Sequence, residues 1–327
     1  MKIAFFDAKP YDRRWFDTFL PEYDFKIRYI ESRLSPDSAD LATGCEAACC
    51  FVNDRVTAEV TEALVQAGVK VLLLRCAGFN NVDLRATAGK LHVLRVPAYS
   101  PYAVAEYALA LLLSVNRKTH RAYARTKEYN FSINGLEGRQ LNGMTAGIIG
   151  TGKIGQITAE LFKALGMKII AYDPYPIPHA PFPYVSQDEL FAQADVISLH
   201  CPLTESTEYI IGEDSISKMK DGVIIINTSR GGLVHTLALI EGLKNRKIGG
   251  VGLDVYEEEE EYFFEDRSDE IMEDESLVRL MSFPNVLVTS HQAFFTAEAM
   301  EAIAKTTLDN LLAYQNGEPL VNEVSAH

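Results

Sequence analysis

The sequence is short of positive charge. Lys and Arg number 31 against 45 Asp and Glu, a formal net charge of −14 over 327 residues. Nucleic-acid surfaces are built from clustered cations, so no nucleic-acid partner is expected. Long apolar runs are also missing. The longest helical candidate, around Val104–Val115, is interrupted by Glu106 and falls short of the roughly 20 apolar residues a bilayer demands. The opening run from Met1 to Asp12 has only a brief apolar stretch before charge appears, which does not suit a signal peptide. A cytoplasmic place without a membrane partner is the expectation. Cysteine is scarce: Cys45, Cys49, Cys50, Cys76 and Cys201. The number is odd, Cys-x-x-Cys is absent, and no histidine lies near the 45–50 group. Neither a disulfide framework nor a metal centre is expected. Cys49 and Cys50, within Ala-Ala-Cys-Cys-Phe, read as small buried hydrophobes.

What is present is the balance of a folded protein, with 47% hydrophobic and 23% charged residues, over a length that suits two domains. Short β-type runs alternate with helical stretches. The first series is 2–6, 26–30, 47–52, 71–74 and 93–96. The second is 146–149, 168–172, 196–200, 223–227, 250–253 and 285–289. Several are continuous apolar runs, which suit parallel sheets covered on both faces. The fold class expected is α/β, with two Rossmann-like doubly wound parallel-sheet domains and a cleft between them. One long helix, opening at Ser100 and Pro101 and reaching Tyr129, separates the two series. Its basic far part (Arg117, Lys118, Arg121, Arg125) reads as a solvated face that complements the helix dipole. A second long helix over 296–316 suits a chain crossing back. Residues 1–99 with 295–327 then form a discontinuous domain, and 100–294 a continuous one.

Ala146–Ile149 runs into Gly150, Thr151, Gly152, Lys153, Ile154 and Gly155, followed by a helical stretch. Between strand and helix, this Gly-x-Gly-x-x-Gly has a mechanism. Gly150 permits a tight turn, Gly152 lets the backbone approach a pyrophosphate, and Gly155 lets helix and strand pack closely. The helix start offers N–H groups to phosphate. The next strand ends at Asp173, whose carboxylate can accept ribose hydroxyls and would repel a 2′-phosphate, so NAD is the expected cofactor. Arg230, Asp254 and His291 each stand just past a strand of the second series. In open α/β sheets, ligands sit beyond the carboxyl ends of the strands.

The stretches 75–83 (Arg-Cys-Ala-Gly-Phe-Asn-Asn-Val-Asp), 96–101, 150–155, 173–176, 195–204, 227–231 (Asn-Thr-Ser-Arg-Gly), 253–257 and 291–294 (His-Gln-Ala-Phe) resemble the D-2-hydroxyacid dehydrogenase family. Within it they are closest to the fermentative bacterial D-lactate branch. The resemblance spans nearly the whole chain. It implies NADH-dependent, reversible reduction of a small 2-keto acid, with pyruvate and D-lactate the leading pair. It assigns Arg230 to the substrate carboxylate and keto oxygen, His291 to proton donation, and Glu259 to the support of the imidazolium. The run Glu257–Glu261 does not by itself single out one glutamate. The family spacing after Asp254 selects Glu259. By the same matching, Ala77 and Gly78 offer N–H groups to the carboxylate, and Arg75 positions their loop. Tyr99 lines the cleft, and Phe294 crowds the substrate side chain. Cys201, Pro202, Thr207, Thr228, Ser229 and Asp254 touch the cofactor. A homodimer or homotetramer is implied, with the 100–129 helix as an interface element. Departures from the family pattern are the acidic run and the short, proline-rich segment 177–184. The alternatives are a dehydrogenase for a larger keto acid, or an NADH-sensing module resembling the family's transcriptional corepressors.

Overall fold

Short apolar runs buried on both sides build the centre of the sheet of the first unit, and more polar strands form its edges. The computed structural model describes residues 1–326 and divides into two units, Met1–Ser100 with the chain from Phe295 onward, and Pro101–Phe294. The strands of the first unit are β1 (Lys2–Phe5), β2 (Lys26–Tyr29), β3 (Ala47–Cys50), β4 (Val71–Leu74) and β5 (His92–Arg95). They pair in parallel in the order β2-β1-β3-β4-β5. On one face Ile3, Phe5, Cys49, Val71 and Leu73 pack against Ala304, Leu308 and Leu311. Those residues come from the helix Ala297–Asn316, whose N-cap Thr296 accepts a bond from the Ala299 N–H. The end of the chain thus completes the core that its beginning starts. Past that helix, Glu323 bridges Leu94 in antiparallel fashion, and the Val324 N–H donates to the Val93 carbonyl at 2.9 Å. This covers the edge of β5, which would otherwise offer unpaired backbone groups.

The second unit holds β6 (Thr145–Ile149), β7 (Lys168–Tyr172), β8 (Val196–Leu199), β9 (Val223–Asn227), β10 (Ile248–Leu253) and β11 (Val286–Val288). They form a parallel sheet in the order β11-β10-β9-β8-β6-β7. Beyond β7 lies one further rung. Ala171 bridges Tyr184, with the Ala171 N–H on the Pro183 carbonyl at 3.0 Å and the Val185 N–H on the Ala171 carbonyl at 2.9 Å. Pro178, Pro181 and Pro183 cannot donate to a ladder, which confines this segment to an edge and a single bridge. Counted as a strand position, it completes the Rossmann winding. Separate apolar clusters cover the two faces of the sheet.

The expected helix over 100–129 is two helices, Pro101–Arg117 and Thr119–Lys127, broken at Lys118, whose φ is +51°. Nonlocal partners cause the break. The Asn116 side chain pairs with the Arg139 backbone as both donor and acceptor. Lys118 Nζ donates to the Gly135 carbonyl, and Arg125 Nη1 to the Asn134 carbonyl at 2.8 Å. Part of the basic face is therefore engaged with a loop rather than simply solvated. The five cysteines are buried and unbridged. Burial pushes the Cys49 thiol up to about 12 and the Cys201 thiol to about 11. Among the described residues, no helix is long and apolar enough to cross a membrane.

Candidate active site

The strand order of the second unit reverses between β6 and β8, and the glycine turn lies at that point. Gly150 follows β6 with φ +91°, a left-handed conformation that side chains disfavour. A Cβ on Gly155 would stand 2.0 Å from the Gly150 carbonyl oxygen, so the helix Lys153–Ala164 begins hard against the turn. Its first N–H groups, from Lys153 through Ile154 to Gly155, lack intrahelical acceptors, as first-turn groups do. Asp173, past β7, accepts from Thr151 N at 2.7 Å and Thr151 Oγ1 at 3.0 Å through Oδ2, and from Tyr175 N at 2.8 Å through Oδ1. It holds the lip of the turn.

The loop after β8 is closed by the Thr207 hydroxyl, which donates to the Pro202 carbonyl at 2.7 Å. Ser229 Oγ donates to the Cys201 carbonyl at 3.0 Å, joining this loop to the end of β9. Cys201, Pro202, Thr207 and Ser229 are thereby gathered beside the glycine turn, where the His200–Cys201 backbone lies 2.6 Å from a Cβ built on Gly150.

The ends of β9, β10 and β11 are linked in series. The Asp254 N–H donates to the Asn227 carbonyl at 2.9 Å, and the His291 N–H to the Asp254 carbonyl at 2.7 Å. Asn227 shapes the turn bearing Arg230: Oδ1 accepts from Ser229 N at 3.0 Å, and Nδ2 donates to the Arg230 carbonyl at 2.8 Å. That is an Asx turn, the local closure that asparagine favours. The Arg230 guanidinium donates to the Ser229 carbonyl at 2.7 Å.

Asp254 is fully buried. Its Oδ1 accepts from Thr289 Oγ1 at 2.6 Å and Gln292 N at 3.0 Å, and its Oδ2 from Ala293 N at 2.7 Å. Burial raises its pKa, and those bonds pull the other way. A carboxylate has about four lone-pair sites, and most of this one's are spent on the turn that carries His291.

His291 has φ +53°, and its Nδ1 lies 2.7 Å from Glu259 Oε1. Glu259 Oε2 accepts from Tyr256 N at 2.9 Å. Neighbouring Glu257 is occupied elsewhere: it accepts from Thr236 Oγ1 at 2.8 Å and from the Tyr209 hydroxyl. Geometry thus separates two glutamates that the acidic run leaves equivalent. Phe294, past the same turn, is buried.

Ala77, Gly78 and Tyr99 belong to the first unit. The N–H groups of Ala77 and Gly78 have no hydrogen-bond partner among the described residues. Arg75 is only 2% exposed and points away from solvent. Its guanidinium donates to the Phe6 carbonyl at 3.1 Å and the Asp7 carbonyl at 2.9 Å, beside the Asp12 carboxylate at 3.5 Å. It anchors the loop to the end of β1. At the other end Asn81 Nδ2 donates to the Phe51 and Asp54 carbonyls. Asn81 lies in the 75–83 stretch that the resemblance rests on, without a role assigned there. Thr289 and the Glu257 contacts have no signal in local sequence.

The profile of the D-isomer specific 2-hydroxyacid dehydrogenase NAD binding domain matches residues 109–293. The chain belongs to this dehydrogenase family. It is 47% identical to the D-lactate dehydrogenase of Escherichia coli (strain K12), over 99% of this chain and 100% of that one. It is 49% identical to 2-hydroxyacid dehydrogenase homolog 1 of Schizosaccharomyces pombe, over 98% of this chain and 99% of that one. The structure of the pyruvate reductase of Chlamydomonas reinhardtii superposes with a TM-score of 0.94 at 42% identity, covering 98% of each chain.

The NAD binding domain of this 2-hydroxyacid dehydrogenase suits a dinucleotide on its own evidence. Nothing lies within 4 Å of a Cβ built on Gly152, so a phosphate can reach the backbone there. Thr228 Oγ1, at the end of β9, is buried without a partner among the described residues, a polar group left for a ligand.

Proposed function

We propose that this 2-hydroxyacid dehydrogenase reduces pyruvate to D-lactate with NADH, and runs in reverse when lactate and NAD are in excess. The observation that carries the reading is the 2.7 Å contact between His291 Nδ1 and Glu259. It commits one ring nitrogen to a carboxylate and leaves Nε2, which has no partner among the described residues, for the keto oxygen. NADH, when bound, supplies the hydride that reaches the keto carbon. His291 gives the proton that completes the hydroxyl, and takes it back in the reverse direction. Glu259 stabilises the imidazolium before transfer. The planar fork of Arg230 binds the substrate carboxylate and polarises the keto oxygen. The N–H groups of Ala77 and Gly78 also take the carboxylate, and Tyr99 and Phe294 shape the space for a methyl group. The names of the algal pyruvate reductase and the bacterial D-lactate dehydrogenase support pyruvate and D-lactate as the pair.

In this reading residues 1–99 with 295–327 bind substrate, and 100–294 bind the dinucleotide. Cofactor contacts come from Gly150, Gly152, Lys153, Ile154, Gly155, Asp173, Cys201, Pro202, Thr207, Thr228, Ser229 and Asp254. Asp173 disfavours the 2′-phosphate of NADPH. The enzyme works in the cytoplasm, where NADH is available, as a homo-oligomer. Steady-state rates with NADH and NADPH against pyruvate, 2-ketoisocaproate and phenylpyruvate, with product chirality determined, test the assignment. NADH with pyruvate should give the highest kcat/KM and D-lactate. A preference for a larger keto acid would move the enzyme elsewhere in its family. NADH binding without turnover of any keto acid would remove the catalytic reading.

A further inference from the structure

Two successive residues at the end of β5 grip the loop that bears the unpaired N–H groups. The Val96 N–H donates to the Cys76 carbonyl at 3.2 Å. Arg95 Nη1 donates to the Ala77 carbonyl at 2.9 Å. A trans peptide is planar, and its C=O and N–H point in opposite directions. Holding the Cys76 carbonyl therefore aims the Ala77 N–H, and holding the Ala77 carbonyl aims the Gly78 N–H. The Arg95 guanidinium also lies 5.1 Å over the Phe79 ring, which backs the loop.

Arg95 is itself fixed from outside. Its N–H donates to the Asn322 carbonyl at 3.1 Å, and its carbonyl accepts from Asn310 Nδ2 at 2.9 Å. Asn322 Nδ2 donates in turn to Asn310 Oδ1 at 2.8 Å. The C-terminal segment thus holds the backbone from which the Arg95 guanidinium reaches the loop.

We infer that Arg95 is a positioning residue for keto-acid binding: its hydrogen bond to the Ala77 carbonyl aims the Gly78 N–H at the substrate carboxylate. This rests on the reading of Ala77 and Gly78 given above. The carboxylate is present in ground and transition states alike, so the contribution is uniform binding, which falls on KM rather than kcat. A positive charge alone does not reproduce it, because the effect passes through the direction of one peptide plane.

The experiment compares wild type with Arg95→Met and Arg95→Lys, using pyruvate, the carboxylate inhibitor oxamate, and NADH titration followed by fluorescence. Arg95→Met should raise KM for pyruvate and Ki for oxamate together by about 10-fold or more, with kcat within about 3-fold and NADH affinity and Tm unchanged. Arg95→Lys should recover part of the loss where its ammonium reaches the carbonyl. A KM within about 2-fold of wild type in Arg95→Met overturns the inference. So does a loss in both variants accompanied by weaker NADH binding and lower Tm, which marks a merely structural role. If wild type turns over and the variants keep its KM, the role of Arg95 falls alone. If wild type reduces no keto acid, the functional reading falls and takes this inference with it.

Discussion

His291 stands on a backbone that side chains resist. A positive φ outside glycine costs on the order of 1–3 kcal/mol and persists where the surroundings over-determine it. The surroundings here are Asp254, which takes the N–H groups of residues 292 and 293, and the Asp254 carbonyl, which takes the N–H of His291 itself. A ring so placed acts through its chemistry more than its packing. His291→Gln should therefore lower kcat/KM by roughly 10²–10⁴-fold while NADH binding, read by fluorescence, stays near wild type. Arg230→Lys keeps a charge but loses the fork, and a loss of about 10²-fold is expected for a substrate held out of line. Near-normal turnover by either variant would contradict its assigned role. At this scale the motifs made Arg230, Asp254 and His291 legible, because each stands within three residues of the end of a strand. Glu259 was not separable from its neighbours by composition. The contacts that divide Glu257 from Glu259 come from Thr236, Tyr209, Tyr256 and His291, distant in sequence or invisible in its pattern.

The central strands were the most legible elements, since a parallel strand buried on both faces must be apolar throughout, as Val71–Leu74 and Val223–Asn227 nearly are. The proline-rich stretch 177–184 hid one edge rung for the complementary reason: proline withholds donors. The helix over 101–127 misled because its apolar period ends at Val115 and the basic stretch beyond holds no glycine or proline to mark the point where the Arg139 backbone captures Asn116. Periodicity records burial, not the pull of a loop from elsewhere.

Asp54 shows the same nonlocal logic and can be tested. It is fully buried, and its two oxygens accept from Leu34 N at 2.7 Å and Phe51 N at 2.6 Å, joining the loops after β2 and β3. Burial raises its pKa from 3.8 to about 6, against the pull of Arg75 and those N–H groups. Between these values the folded state holds a proton that the unfolded chain releases. The contribution is thus full below about 4 and lost as pH rises through about 6. Asp54→Asn removes the titration and faces one backbone donor with another, a cost of about 1–3 kcal/mol. In denaturant unfolding, the stability gap between wild type and variant should narrow from pH 4 to pH 7. A widening gap would reverse the sign argued here.

For the whole molecule, the net charge of −14 sets a problem that local cations such as Arg230 answer, since pyruvate and NADH are both anions. The surface carries a second feature that charge does not explain. Tyr123, Tyr129, Phe131 and Ile133 are 65%, 85%, 73% and 81% exposed, all within or just after the helix Thr119–Lys127. Lys118 and Arg125 tie down the carbonyls of the loop that carries Phe131 and Ile133, so these side chains are displayed rather than free to fold inward. For the homo-oligomer proposed above, exposed apolar groups of this kind are the expected association surface. Stable pairs bury about 800 Å² per partner, and this segment would supply the apolar centre of such a contact in the proposed homo-oligomer. The double variant Phe131→Glu, Ile133→Glu should shift the mass measured by light scattering from oligomer toward single chain. None of the proposed site residues lies in the segment, so each chain should still bind NADH. A wild type that is monomeric at micromolar concentration, or a variant that assembles as wild type does, would leave this surface without the assigned role.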